Sequence, residues 1–217
     1  MRPRQKMLTK QQAAYQNLRQ GIMSGRLPPG KRLVIDRIAE ELEVSAIPVR
    51  EALTQLEKEG LVEIKPHAGA VVTDIPESAV EEIFALLEVL EIVSCRLGLK
   101  KLSDSAISHL SDVTDQMEGT CDPEKWLTLN RMFHQKLPRL AGLPRLEEQM
   151  IRVGEDWERL RRLRFTNRKG EDLQRANEQH RAFITALQKK DLQTAESIIR
   201  QHNQEALQLY ISGGNGV

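Results

Sequence analysis

A mostly α chain in two parts is what the sequence predicts, and three observations predict it. Up to residue 75, short helical periods are broken by a tight turn and end in two β-branched runs. After Pro76 only long helical periods remain, with no β-branched run among them. Between the two, Asp74-Ile75-Pro76 is a hinge signal, because proline cannot continue a helix and biases the residue before it toward extended backbone. The 217 residues suffice for two ordinary domains, expected over 1–75 and 76–212 with a flexible tail over 213–217.

Taken in order, Thr9 can cap a helix in which Ala14, Leu18 and Ile22 recur at four-residue spacing, and Gly25 ends it. Leu27-Pro28-Pro29-Gly30 is a turn. A short helix over Asp36–Glu43 turns Ile38, Ala39 and Leu42 inward, and Ser45 can cap a second one over Ala46–Glu59. Pro48 is tolerated in the first turn of that helix, where amides have no intrahelical partner, and Gly60 supplies the stop. The runs Leu61–Ile64 and Ala70–Thr73 flank Pro66-His67-Ala68-Gly69 and read as a small hairpin. Helix, helix, turn, helix and hairpin make a winged helix-turn-helix. Six further helices are expected over Glu77–Leu99, Ser103–Met117, Pro123–Ala141, Pro144–Phe165, Asp172–Lys189 and Leu192–Leu209. The expected fold is therefore mostly α, an N-terminal winged helix-turn-helix plus a C-terminal all-α helical bundle.

Composition excludes several classes. With 40% hydrophobic and 29% charged residues and a net charge of +1, the chain is of the soluble globular kind. Its longest apolar stretch is broken by Glu88 and Glu91, well short of the ~20 residues that span a bilayer, so no membrane partner is expected. The basic start Met1–Lys6 is not followed by an apolar core of secretory type, which makes the cytoplasm the expected location. Cys95 and Cys121 lack companion cysteines, signal neither a disulfide framework nor a thiolate zinc site, and read as buried or inert thiols. Charge is uneven: residues 1–75 hold 12 Lys/Arg against 9 Asp/Glu, and the first 37 residues hold nine basic side chains and one acid. That end could hold a polyanion or form a solvated basic tail.

In the helix over Ala46–Glu59, Val49, Ala52, Leu53 and Leu56 share the inward face, which leaves Ala46, Ile47, Arg50, Thr54 and Glu57 outward. A helix that follows a tight turn, with a positive N-terminal dipole and an outward Arg50, has the shape that enters a DNA major groove; the adjacent hairpin can lie on the backbone or the minor groove. Similar helical pairs occur in proteins that bind no nucleic acid. An aromatic content of 4% argues against single-strand binding, which relies on base stacking.

The string Pro29-Gly30-x-x-Leu33, Ile38-Ala39-Glu40-x-Leu42-x-Val44-Ser45, Pro48-Val49-Arg50-Glu51-Ala52-Leu53-x-x-Leu56-x-x-Glu59-Gly60-Leu61-Val62 and Gly69-Ala70-x-Val72 closely resembles the DNA-binding domain of GntR-family bacterial transcription regulators. The resemblance implies a dimeric repressor or activator that docks its third helix in the major groove of a palindromic operator. The family's DNA-touching arginines match Arg37 and Arg50. Arg37, Ser45, Ile47, Arg50, Thr54, His67 and Gly69 are the candidate DNA contacts. Two positions depart: many relatives carry Arg where this chain has Ala46, and a basic wing-tip residue where it has Ala68. Each missing arginine removes a phosphate contact or a bidentate guanine contact, the latter worth ~1–3 kcal/mol of base discrimination.

In the second part, helical spacing places His134 with Leu127, Asn130 and Leu137, His180 with Ala176, Phe183 and Leu187, and His202 with Ala195, Ile198 and Ile199, so all three imidazoles point inward. A turn at Lys190-Asp191 would pair the last two helices and bring His180 and His202 to the same depth. Three imidazoles with an oxygen from Asn130 and open positions suit a divalent transition metal, zinc, nickel or similar. A single inward histidine is more often a hydrogen-bonded core residue; three on facing surfaces shift the balance toward a metal. His109 and His67 lack such companions.

Leu129-Asn130-Arg131-x-Phe133-His134, Glu178-x-His180-x-x-Phe183-x-x-Ala186-Leu187, Asp191, Ala195 and His202 resemble the ligand-sensing domain of the FadR-like (FCD) branch of the same family. That resemblance implies a metal held by Asn130, His134, His180 and His202, with a small carboxylic acid effector completing its shell. Asn130 brings no charge where relatives use Asp or Asn. Most arginines over residues 144–165 read as a solvated face, and Arg152 is the candidate that faces the effector. The function expected is a sequence-specific DNA-binding regulator, a repressor, working as a homodimer on a palindromic double-stranded operator and controlled by a small organic acid at a metal site. Two readings stay open: a metal-free regulator with structural histidines, and a metal-dependent hydrolase. For the hydrolase no His-Glu-x-x-His or nucleophile motif is present, and an enzyme is not expected.

Overall fold

Thr9 opens the first helix with a reciprocal cap: its Oγ1 accepts from the Gln12 amide at 3.1 Å, and Gln12 Oε1 accepts from the Thr9 amide at 3.0 Å. A computed structural model describes residues 8–65, 69–76, 78–164 and 170–213, and the chain divides into two compact units, Met1–Ile75 and Pro76–Val217. The first comprises α1 (Lys10–Met23), β1 (Arg32–Leu33), α2 (Ile35–Glu41), α3 (Ala46–Lys58), β2 (Val62–Lys65) and β3 (Gly69–Val72). Leu18, Ile22, Ile38, Val49, Leu53 and Leu56 form its core with the apolar faces of the strands. Tyr15 and Arg19 of α1 both reach Glu59 just beyond α3, the tyrosine hydroxyl donating at 2.7 Å.

The sheet has three strands, in the order β1-β3-β2 and all antiparallel, where sequence reading expects a two-stranded hairpin. Leu33 lies opposite Ala70, and Val62 opposite Val72. Gly69 is fixed by this pairing. Its φ is +84°, and a Cβ there would lie 2.4 Å from the Leu33 carbonyl oxygen, so no side chain fits.

Helix α2 stops at Glu41 because the chain reverses at Glu43, which takes φ +52°, and the Val44 amide closes back on the Ala39 carbonyl at 2.9 Å. Ser45 occupies the N-cap of α3 but makes no side-chain cap bond, a correction to the expectation that it caps. Capping oxygens accept from the second or third helical amide; Pro48, the third helical residue, has none, which leaves Ile47 with the one amide of that kind.

The second unit consists of α4 (Ala79–Gly98), α5 (Asp104–Glu118), α6 (Pro123–Leu140), α7 (Pro144–Arg164), α8 (Gly170–Gln188) and α9 (Leu192–Gly213). Ser103 and Asp122 cap α5 and α6 by accepting from Ala106 and Glu124 amides, and Pro123 occupies the first turn that tolerates it. Leu110, Met117, Trp126, Phe133, Phe183 and Leu187 are centres of one apolar core, with α5 packed on α6 and α8, α4 on α9, and α8 on α9. The α8–α9 turn falls at Lys190-Asp191: Lys190 has φ +55°, and Asp191 Oδ1 accepts from the Thr194 amide at 3.0 Å. Mostly α, with a winged helix-turn-helix first and a helical bundle second, is the observed fold class. Both cysteines are free thiols, Cys95 buried and Cys121 exposed.

Candidate functional site

Four helices of the second unit converge on one polar cluster inside an apolar core. Helix α6 carries Asn130 and His134 one turn apart, α8 carries Gln179 and His180, α9 carries His202 and Asn203, and α4 carries Glu91. The three imidazoles offer one ligand nitrogen each, all within 4.8 Å of one another. Ring centroids lie 5.4 Å apart for His134 and His180, 5.3 Å for His134 and His202, and 4.9 Å for His180 and His202.

Hydrogen bonds hold two of these rings in place. Glu91 Oε1 meets His134 Nδ1 in a short contact, and Oε2 accepts from Asn203 Nδ2 at 2.8 Å. A carboxylate at Nδ1 holds a hydrogen on that nitrogen and turns Nε2 away from it, the arrangement found at metal-ligating histidines. Gln179 Oε1 takes His202 Nδ1 at 2.8 Å, which orients the second ring in the same way. His180 is 2% exposed, and neither of its nitrogens has a partner; Asn130 Oδ1 is likewise buried without one. Buried polar atoms without partners cost free energy, ~1–3 kcal/mol each, unless a ligand satisfies them. The donor set, three imidazoles and an amide oxygen, fits a divalent transition metal.

Electrostatics follow from burial. Desolvation, followed by the neighbouring His202 and His134 rings, holds His180 well below the ordinary histidine value, so it is a neutral lone-pair donor. Burial pushes the Glu91 carboxyl up, but His134, His202 and Asn203 together outweigh it and leave Glu91 ionised below the usual carboxylate range. Glu91 is a residue that sequence reading missed. It lies on the buried stripe of α4, seven residues after Phe84 and four before Cys95, and a carboxylate on such a stripe is the signal that was there to find. Pro138 adds a second: it sits four residues after His134 inside α6, so the His134 carbonyl receives no helical amide.

A cavity of about 630 Å³ opens beside the cluster, lined by Glu91, Asn130, Arg131, His134, Trp157, Arg175 and His202 among others. That volume suits a small organic ligand. Arg152 does not line it. Its side chain is 67% exposed and pairs with Glu148 one turn back at 2.6 Å, which corrects its assignment to the effector. The spacing of eight residues to buried Leu160 turns it about 80° off that residue's face. Two other arginines do line the cavity. Arg175 is tied to Glu205 by two 2.7 Å bonds, while Arg131 makes no hydrogen bond or ion pair among the described residues.

In the first unit, Ile47, Arg50 and Thr54 form an exposed stripe along α3, with Ser45 exposed at its start. Arg50 makes no side-chain bond among the described residues, and Thr54 donates its hydroxyl to the Arg50 carbonyl at 3.0 Å. Arg37 is 78% exposed and pairs with Glu41 on its own helix, a contact weak enough to yield to a phosphate. Gly69 serves the hairpin geometry described above. His67, with Pro66 and Ala68, lies outside the described residues, as do residues 165–169 and 214–217.

Comparison with known proteins matches residues 10–72 to the model of the gntR family of bacterial regulatory proteins, and residues 82–205 to the FCD domain. An uncharacterized HTH-type transcriptional regulator in an unstable DNA locus of Streptomyces ambofaciens is 29% identical over 195 residues, covering 89% of this chain and 82% of that one. The HTH-type transcriptional repressor RspR of Escherichia coli K12 is 25% identical over 197 residues, covering 89% and 86%. Among solved structures, E. coli McbR/YncC superposes with a TM-score of 0.78 at 21% identity over 96% of this chain and all of that one, a likeness of fold.

Proposed function

The chain belongs to the GntR family of bacterial regulatory proteins with an FCD domain, and on that premise we propose that it is a repressor whose hold on a palindromic operator is controlled by a small carboxylic acid bound at a divalent-metal centre. Membership makes it a DNA-binding transcriptional regulator. The finer reading assigns 1–75 to DNA binding and 76–212 to effector binding. The observation that carries it is the convergence of His134, His180 and His202, with both His180 nitrogens and Asn130 Oδ1 buried and unpartnered, beside a 630 Å³ cavity whose wall includes Asn130, His134 and His202. RspR, a repressor by name, supports the direction of control.

A divalent ion in this cluster would supply positive charge to a bound carboxylate. The chain's own residues supply the rest. His134, His180, His202 and Asn130 provide the donor atoms, Glu91 and Gln179 hold two of the rings, and Arg131 offers a planar fork to an acid in the cavity. An acid that binds one domain arrangement better than the other shifts the population between them and so changes operator affinity. A homodimer suits this scheme: α4 exposes Leu86, Val89 and Leu97, at 45%, 55% and 55%, as one unpartnered stripe, and two reading heads match a palindrome.

The test uses the full chain loaded with Zn(II) or Ni(II) and a duplex selected from random DNA. Small carboxylic acids are screened for a rise in Tm, and those that raise it are tested for release of the duplex. The reading predicts that the rise requires the metal and falls away in Arg131→Gln. Acids that bind equally well to chelator-treated protein would contradict it.

A further inference from the structure

Ile47 is 67% exposed, the highest value among the described large hydrophobic side chains, and it sits in the first turn of α3. Nothing in its own unit explains an isoleucine there. It lies outside the apolar core, and a β-branched residue on an exposed helical surface gains nothing in helix propensity. Its neighbours all have groups to spare for a partner. The Ser45 hydroxyl makes no cap bond, and Arg50, three residues beyond Ile47 and on the same stripe, has no side-chain bond among the described residues. Ala46 is small and half-buried, so the backbone at the start of α3 can approach a surface closely.

From this arrangement we infer that Ile47 reads the 5-methyl group of a thymine, one to two base pairs from the base that Arg50 contacts. The inference rests on the DNA-binding reading of α3. On the major-groove edges of the four base pairs, the thymine methyl is the apolar group, while the other positions present hydrogen-bond donors and acceptors that an isoleucine cannot use. Residues near the N-terminus of a recognition helix are the ones that reach base edges. Three residues advance ~4.5 Å along a helix, against a base-pair rise of ~3.4 Å, which sets the separation between the two contacts. Ser45 donates to a phosphate and fixes the register; Arg50 supplies the polar contact, Ile47 the apolar one. A chain with Ala46 and Ile47 at the start of α3 thus recognises a half-site with a thymine where an arginine there would favour guanine.

The experiment selects duplexes from a random pool with the full chain, then replaces each thymine of the selected half-site singly by deoxyuridine, which lacks only the methyl. Affinities are measured for wild type, Ile47→Ala and Arg50→Ala. The inference predicts one thymine whose replacement weakens wild type about fourfold, the value of one buried methyl, and leaves Ile47→Ala unaffected. A flat uracil scan for wild type overturns it, as does a loss that persists in Ile47→Ala. If Ile47→Ala changes sedimentation and not DNA affinity, Ile47 is a protein contact and the inference fails. A wild-type chain that enriches no sequence, with Arg50→Ala indistinguishable from it, overturns the DNA-reading premise itself.

Discussion

Replacing Glu91 by glutamine keeps the volume of a side chain that is 5% exposed and removes its charge. The carboxylate serves two donors, His134 Nδ1 through Oε1 and Asn203 Nδ2 through Oε2 at 2.8 Å. A glutamine oxygen can keep one of these bonds, but the amide nitrogen then faces the other donor. His134 loses either its orientation or the hydrogen placement that reserves Nε2 for a metal. Partners of this kind set metal affinity by roughly 10- to 100-fold, or about 1.4–2.8 kcal/mol. The assay is competition of the full chain against a chelating dye for Zn(II), with the Tm of metal-free protein followed in parallel. Affinity is expected to fall by that factor, and the metal-free midpoint by at least about 2 °C, because a buried donor is left unpaired. Asn130→Asp in the Glu91→Gln background returns a negative charge beside the rings and recovers part of the affinity. Unchanged affinity with a lowered midpoint would refute the reasoning and leave Glu91 a packing group.

Three further outcomes follow from the same structure. Arg50→Ala is expected to abolish specific retention of the operator in a gel-shift titration, at a cost of about 1–3 kcal/mol, while Lys10→Ala reduces the salt slope by about 1 and spares specificity; retention by Arg50→Ala contradicts its role. Gly69→Ala forces a side chain into φ +84° and against the Leu33 carbonyl, so the first unit should lose about 1–3 kcal/mol or more, read as a fall in urea midpoint. For metal-free protein, His180 is held well below its ordinary value in the folded chain, so the unfolded chain binds more protons below about pH 6.5. Stability is therefore full above that pH and declines as pH falls toward the folded value. His180→Gln should flatten this dependence in a Tm series from pH 7.5 to 5, and an equally steep decline would show that other groups carry it.

Much of this was legible in the sequence because local signals and global fold agree. Thr9 and Gln12, Ser103, Asp122-Pro123 and Lys190-Asp191 mark helix ends by their own chemistry, and the helices begin or end within a few residues of those marks. The three histidines were legible because helical spacing alone places each on an apolar face. β1 was not legible: two residues, Arg32 and Leu33, have no period of their own and become a strand only by pairing with Val71 and Ala70, nearly 40 residues away. Ser45 stands at the N-cap, as its residue type suggests, yet makes no cap bond, and Pro48 removes one of the two amides such a bond could use. Arg152 misled because an eight-residue spacing is not a helical repeat. Glu91 lies 43 residues before His134, so its partner belongs to tertiary packing, although its place on a buried stripe singles it out once faces are counted.

The most direct test of the metal centre is the metal content of the full chain after loading with Zn(II) and gel filtration, compared between wild type and the double variant His134→Ala, His202→Ala. The account predicts about one ion per wild-type chain and less than a tenth of that in the variant, with both folded by circular dichroism. Equal and substoichiometric metal in the two, from a folded wild-type chain, would contradict it.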